Sequence, residues 1–123
     1  NMAKTILIVD DSASIRQVVS LTLKGAGYDV VDAMDGKDAL TKLDGRKINL
    51  VISDVNMPNM DGISFVKAMK ALPAYKFTPV IMLTTEGSEA MKRDGQAAGA
   101  KAWVVKPFQP AQMLDAVSKL ILP

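Results

Sequence analysis

Cysteine and histidine are both missing from the 123 residues of this sequence. Without cysteine there are no disulfide bonds, no thiolate nucleophile and no zinc site built on sulfur. Without histidine there are no imidazole metal ligands and none of the serine–histidine or cysteine–histidine pairs of common hydrolases. Any chemistry must therefore depend on carboxylates, hydroxyls and lysine. A bound metal must be held by oxygen, which favours hard ions such as Mg²⁺ or Ca²⁺.

A strong excess of charge and a long hydrophobic run are missing as well. The net charge is +2 and is spread along the chain, so we expect binding neither to nucleic acid nor to a membrane surface. The first apolar run is far too short for a signal peptide or a membrane span, which favours a cytoplasmic protein. A composition of 49% hydrophobic and 23% charged residues is typical of one globular domain, assigned to residues 3–123. No large apolar patch is predicted, so we expect a monomer.

Short apolar runs alternate along the chain with segments of helical periodicity. Four runs lack polar alternation, as do strands buried on both faces of a sheet, and a fifth run at residues 28–32 is weaker. The four runs lie at residues 6–9, 50–52, 80–83 and 102–105, and the helical segments lie at residues 15–22, 39–43, 63–69, 89–98 and 113–121. Five strand–helix repeats joined by right-handed crossovers predict a three-layer α/β domain, with helices on both faces of a parallel sheet.

Residues at the edges of these segments support the predicted boundaries. Serine and aspartate favour helix starts because their side chains accept a hydrogen bond from a free backbone N–H, and glycine favours helix ends. The predicted starts are Ser12 or Ser14, Asp35 and Ser88, and the predicted ends are Gly25, Gly27, Gly45 and Gly99.

Polar residues follow four of the five predicted strands. Asp10 and Asp11 follow the first strand, Asp54 the third, Thr84 the fourth and Lys106 the fifth. In open α/β sheets, ligands bind beyond the carboxyl ends of the strands. Three neighbouring carboxylates repel one another unless a cation joins them, which predicts a divalent metal. The Thr84 hydroxyl and the Lys106 ammonium can both face one anion above the sheet edge.

Asp10, Asp11 and Lys106 each have a simpler interpretation as well. Asp10 and Asp11 are of a type that commonly caps helices. Lys106 before Pro107 is typical of a solvated lysine in a turn. The combination of three carboxylates at neighbouring strand ends favours the metal site over these separate alternatives.

The same residues resemble the signature of response-regulator receiver domains. The resemblance covers essentially the whole chain and implies a flavodoxin-like (βα)5 fold with the strand order 2-1-3-4-5. The matching residues, in chain order, are Asp10-Asp11, Asp54, Met57-Pro58, Asp61-Gly62, Thr84 and Lys106-Pro107-Phe108.

The resemblance implies a role for each matching site residue. Asp54 is the phosphoacceptor, and its donor is a phosphohistidine on a sensor histidine kinase. Asp11, Asp54 and the backbone carbonyl of Asn56 bind Mg²⁺ directly, whereas Asp10 acts mainly through a water on the metal. Lys106 neutralises charge on the transferred phosphoryl group, so that catalysis depends on positioning and electrostatics. Such a protein modifies itself and is not an enzyme acting on an external substrate.

The resemblance also implies a two-state switch. The phosphoryl group draws in the Thr84 hydroxyl, and Trp103 turns inward, which remodels the face formed by the fourth helix, fifth strand and fifth helix. Family members usually carry Tyr or Phe at the position of Trp103, so this chain departs from the pattern there. The alternative is a tryptophan that simply packs on the sheet edge.

Asn56 and Glu86 match the residue types of the chemotaxis regulator at positions that govern loss of the phosphoryl group. They favour a stand-alone chemotaxis-type regulator whose target is a protein such as a flagellar motor switch component, with a phosphatase as a further partner. A receiver from another pathway or a phosphorelay is the alternative.

Two other classes of protein fit the residues less well. A haloacid-dehalogenase-type phosphatase needs two aspartates separated by one residue after the first strand, whereas Asp10 and Asp11 are adjacent. A flavodoxin-like binding module needs a phosphate loop rich in glycine and hydroxyl groups after that strand, and the sequence has none.

Overall fold

A computed structural model describes residues 3–85 and 87–121 of the chain. Five strands and five α-helices alternate along it, with one short 3₁₀ helix at Pro73–Tyr75 before the fourth strand. The strands are β1 (Thr5–Val9), β2 (Asp29–Ala33), β3 (Leu50–Asp54), β4 (Val80–Thr84) and β5 (Ala102–Val105). The helices are α1 (Ala13–Gly25), α2 (Gly36–Lys42), α3 (Gly62–Lys70), α4 (Glu89–Ala98) and α5 (Pro110–Leu120).

All neighbouring strands of the sheet are parallel, and their order is β2-β1-β3-β4-β5. This confirms the predicted three-layer α/β architecture and its strand order. Strands β1 and β3 lie at the centre, where the strand order reverses. In sheets of this kind the crevice at that reversal is where ligands bind.

The sheet has a hydrophobic core on each face. On one face Leu7 and Val51 pack with residues of α2, α3 and α4, and on the other Ile8 and Ile52 pack with residues of α1 and α5. Successive strand residues point to opposite faces, so a strand covered on both faces needs apolar residues at every position. This is why the central strands are continuous apolar runs in the sequence.

Side-chain caps begin four of the five helices. Ser12 rather than Ser14 caps α1, Asp35 caps α2 and Ser88 caps α4, as the sequence predicts. Asp61 caps α3, which the sequence analysis did not anticipate. Gly99 ends α4 with a φ of 120°, a left-handed conformation that favours glycine.

Within the described residues, no helix is both long and apolar enough to cross a membrane.

Candidate functional site

Three carboxylates meet at the carboxyl ends of the two central strands. Val9 of β1 pairs with Ser53 of β3, so Asp10 and Asp54 leave the sheet side by side. One oxygen atom from each of Asp10, Asp11 and Asp54 lies within 4.8 Å of the others. Asp10 is 1% exposed and Asp54 is 7% exposed, whereas Asp11 faces solvent. The cluster is therefore buried on one side and open on the side of Asp11.

Lys106 reaches into this cluster from the end of β5. Its Nζ lies 2.8 Å from Oδ2 of Asp10 and 3.5 Å from Oδ2 of Asp54, and its side chain is 13% exposed. It is therefore not a solvated turn lysine. One ammonium cannot balance three carboxylates, so the cluster keeps an excess of negative charge that a cation would relieve.

The two carboxylate oxygens of Asp54 have different surroundings. Oδ1 accepts a hydrogen bond of 2.8 Å from the backbone N–H of Val55, and Oδ2 faces Lys106. Burial raises the pKa of Asp54, and the negative charge of Asp10 raises it further, against the opposing effects of Lys106 and the Val55 N–H. The Asp54 carboxylate is thus held in one orientation by its two partners. Its ionised form has a free-energy cost from burial and from the charge of Asp10, and added positive charge would offset that cost.

A glycine allows the helix after the site to approach the end of β3. The backbone N–H of Gly62 donates a hydrogen bond of 2.7 Å to the carbonyl of Val55. A Cβ atom at position 62 would lie 2.0 Å from the carbonyl oxygen of Asp54, a distance that no side chain permits. The loop of residues 55–61 connects the end of β3 to α3. It begins beside the carboxylates, and Asn56 near its start is exposed.

Thr84 lies at the end of β4, between the strands that carry Asp54 and Lys106. It is fully buried, it pairs with Val105 in the sheet, and its backbone carbonyl accepts a hydrogen bond of 2.7 Å from the N–H of Lys106. Glu86 lies outside the described residues, and its influence on phosphoryl loss stays a prediction.

Trp103 packs on the α4 side of the sheet, away from α1 and α5. Its ring lies against Gly95 of α4, where an added Cβ atom would be 2.5 Å from Cζ3 of the indole. The indole Nε1 is buried and has no hydrogen-bond partner among the described residues. The ring also lines a shallow cavity of about 210 Å³ with Lys92, Gln96, Ala100, Lys101 and Ala102.

Arg16 contacts the backbone of the site, and Asn59 lies in the loop that follows Asp54; the sequence analysis missed the contacts of both. Nη1 of Arg16 donates a hydrogen bond of 2.7 Å to the backbone carbonyl of Asp10, and its Nε lies 3.2 Å from Oδ2 of Asp32. The amide of Asn59 donates to Oδ2 of Asp35 at 2.8 Å. No local pattern marks these contacts, because Asp32 lies on β2 and Asp35 lies in the turn after that strand.

The donor set fits a hard divalent cation. Carboxylate oxygens from Asp10, Asp11 and Asp54 are the ligands that Mg²⁺ prefers, and the solvent-facing side at Asp11 leaves room for the waters that this ion retains. The excess negative charge of the cluster also favours binding of a divalent cation.

A 2-1-3-4-5 parallel sheet is the flavodoxin-like fold, and here it carries buried carboxylates at its central strand ends and a lysine that reaches them from the end of the edge strand β5. Residues 6–118 match the model of the response regulator receiver domain. The chain belongs to this family, and it is therefore a receiver domain of two-component signal transduction.

Relatives and solved structures agree with this assignment. The chain is 40% identical over 119 residues to the chemotaxis protein CheY1 of Helicobacter pylori strain J99, covering 95% of each chain. It is 36% identical over 112 residues to the protein PilG of Pseudomonas aeruginosa, covering 91% of this chain and 83% of that one. Among solved structures, the chemotaxis response regulator CheY4 of Vibrio cholerae is 50% identical, with a TM-score of 0.92 over 97% of this chain and 99% of that one.

Proposed function

We propose that Asp54 accepts a phosphoryl group from a phosphohistidine of a sensor kinase, in a reaction that depends on Mg²⁺. The observation that carries the proposal is the orientation of this carboxylate. Its Oδ1 is tied to the N–H of Val55, which leaves Oδ2 facing Lys106 and the shared space of the acidic cluster. A nucleophile fixed in this way needs little further ordering before it reacts.

The transfer is a displacement at phosphorus. Oδ2 of Asp54 forms a bond to the phosphorus atom, the P–N bond of the phosphohistidine breaks, and its electron pair stays on the imidazole, which takes up a proton. Asp11, Asp54 and the backbone carbonyl of Asn56 would hold Mg²⁺, with Asp10 acting through a water on it, and the ion would supply positive charge that stabilises the phosphoryl oxygens. In the dephosphorylation that follows, water attacks the phosphorus atom, the P–O bond to Asp54 breaks, and the carboxylate is restored as inorganic phosphate leaves. The protein therefore modifies itself and turns over no external substrate.

Lys106 stabilises the phosphorylated state more than the free state. In the free protein its ammonium is closer to Asp10, at 2.8 Å, than to Asp54, at 3.5 Å. A phosphoryl group on Asp54 carries close to two negative charges where the carboxylate carried one, and it presents three strong acceptor oxygens. We expect the ammonium to turn toward that group, and the buried Thr84 hydroxyl to become its second polar partner.

The output is a change in the face formed by α4, β5 and α5. Trp103 lies on this face beside the cavity of about 210 Å³, with an indole N–H that lacks a partner among the described residues. The chemotaxis relatives favour a stand-alone cytoplasmic regulator that binds a downstream target such as a flagellar motor switch component, with a phosphatase to reset it. The similarity to PilG, whose name does not refer to chemotaxis, supports a receiver of another pathway as the alternative.

Intact-mass analysis after incubation with acetyl phosphate and Mg²⁺ tests the proposal. Wild type should gain one phosphoryl group, and chelation of the metal should prevent the gain. Asp54→Asn should remain unlabelled. Asp61→Asn is the matched control, because Asp61 lies outside the cluster and asparagine still caps α3. Full labelling of Asp54→Asn, or equal loss of labelling in both variants, would overturn the assignment.

A further inference from the structure

The loop that follows Asp54 is held at its base and at its tip. At the base, Gly62 donates its backbone N–H to the carbonyl of Val55. At the tip, Nδ2 of Asn59 donates a hydrogen bond of 2.8 Å to Oδ2 of Asp35, in the turn between β2 and α2. The base contact is local in sequence, whereas the tip contact crosses 24 residues and reaches the turn that follows the edge strand β2.

A second contact accompanies the Asn59–Asp35 hydrogen bond. The Met60 side chain lies against Gly36, where an added Cβ atom would be 2.8 Å from Cγ of the methionine. Gly36 is the first residue of α2 and Asp35 is its cap, with Oδ1 accepting from the N–H of Asp38 at 2.8 Å. The loop tip is therefore attached to a helix start that is itself ordered. We call the Asn59–Asp35 bond and the Met60–Gly36 contact the loop latch.

The residue type at position 59 suits both the backbone conformation and the hydrogen bond to Asp35. Asn59 has a φ of 68°, in the left-handed region where glycine is the least strained residue. Asparagine tolerates this region and adds a side-chain donor that glycine lacks. The pKa of Asp35 is lowered by the hydrogen bond from the Asp38 N–H and next by the one from Asn59. An ionised acceptor makes a stronger hydrogen bond than a neutral one.

We infer that Asn59 and Asp35 are positioning residues for the metal site. The Asn56 backbone carbonyl, proposed as a Mg²⁺ ligand, belongs to the loop that the latch holds. Neither Asn59 nor Asp35 is part of the acidic cluster, so both act through the loop backbone. Partners outside the ligand set commonly decide how well the ligands are oriented. The inference rests on the proposed Mg²⁺-dependent function and adds the residues that prepare the loop for the ion.

Two variants remove the hydrogen bond of the latch and preserve local structure. Asn59→Gly keeps a residue suited to the left-handed conformation and removes the donor. Asp35→Ser keeps a residue that caps α2 but is too short to reach Asn59. Calorimetric titration of the unphosphorylated protein with Mg²⁺ should show affinity about tenfold weaker in each, the low end of the range for such supporting partners. The double variant should be no weaker than either single variant, since both remove the same bond. Amide hydrogen exchange at residues 56–60 should be faster in all three.

Tyr75→Phe is the control for a general loss of stability. It removes a hydroxyl that donates to the carbonyl of Arg46 at 2.7 Å and accepts from the N–H of Gly45 at 2.9 Å, far from the acidic cluster. Its Mg²⁺ affinity should equal that of wild type. At saturating Mg²⁺, the rate of labelling by acetyl phosphate should return to the wild-type value in the latch variants, because their ligands are intact.

The outcomes separate the two proposals. If wild type binds no Mg²⁺, the proposed function is wrong. If wild type binds Mg²⁺ and both latch variants bind it as tightly, the latch inference is wrong and the proposed function stands. If Tyr75→Phe weakens binding as much as the latch variants do, the effect is one of stability and the inference fails.

Discussion

Helices α3 and α4 follow neighbouring strands of the same sheet, yet they are anchored very differently. Helix α3, which follows the loop after Asp54, buries Phe65, Val66 and Met69. Helix α4, which follows Thr84, buries Gly95 and Ala98, the smallest of residues. Burying one large apolar side chain contributes roughly 1.5–3 kcal/mol, so α3 is held far more strongly than α4. The proposed phosphorylation site therefore lies beside a firmly held helix, and the proposed output face includes a weakly held one.

Shortening side chains on the two helices should have unequal effects on stability. Phe65→Ala should lower the free energy of unfolding by about 4 kcal/mol because it leaves a cavity in a fully buried position. Met91→Ala on α4 should cost about 1 kcal/mol, since Met91 is only partly buried. Urea denaturation of both variants checks the comparison. Equal losses would show that α4 is anchored as firmly as α3.

Removing the Lys106 ammonium from the acidic cluster should also destabilise the protein. Lys106→Ala leaves Asp10 buried without its ion-pair partner and should lower the free energy of unfolding by about 3 kcal/mol in metal-free buffer. It should still accept phosphoryl groups, but phosphorylation should no longer change target binding. Lys119→Ala is the control, because its pair with Asp115 is exposed and should contribute almost nothing. Normal phosphorylation-dependent target binding by Lys106→Ala would contradict this role.

The raised pKa of Asp54 predicts a pH dependence of stability. Because the folded state disfavours the ionised form, the native protein loses stability as pH rises through the folded pKa of Asp54. Asp54→Asn removes this loss and should raise the free energy of unfolding at neutral pH by about 1 kcal/mol. The gain should vanish below the ordinary carboxyl pKa of 3.8, where Asp54 is protonated in both states. Denaturation without metal across this range gives the measurement, and a gain that grows on acidification would contradict the sign.

The smallest effect on stability is expected where α4 meets β5. Gly95→Ala adds a Cβ atom into the Trp103 ring, and the indole should move rather than the backbone. The stability change should stay below about 1 kcal/mol, because alanine is the better helix former. The indole fluorescence should shift and labelling of Asp54 should be unchanged. Unaltered fluorescence would indicate a ring that is fixed in place.

The sequence alone predicted most of the sheet, because strands buried on both faces must be apolar at every position. Strand β2 was predicted one residue too early, at residues 28–32 instead of Asp29–Ala33. It lies at the edge of the sheet, and its partly exposed pattern carries a weaker periodic signal. The positions of the aspartates after their strands also predicted that they lie close together, because the carboxyl ends of parallel strands share one edge of the sheet.

Contacts between loops that are distant in the sequence could not be predicted from the sequence. Residues 58–60 form a turn, but nothing local to them shows that Asn59 contacts Asp35, which lies in the turn after β2. The surroundings of Trp103 depend in the same way on Gly95, whose lack of a side chain makes room for the ring. Such pairings depend on how helices and loops pack on the sheet, which neither periodicity nor capping signals specify.

The most direct test of the account is to identify the carboxyl group that carries the phosphoryl group. Borohydride reduces an acyl phosphate to an alcohol, which converts a phosphorylated aspartate to homoserine and leaves free aspartates unchanged. Wild type labelled with acetyl phosphate and Mg²⁺ should be reduced, digested and sequenced by mass spectrometry. The account predicts homoserine at position 54 and aspartate at Asp10, Asp11 and Asp61. Homoserine at any of these three positions, with Asp54 intact, would contradict it.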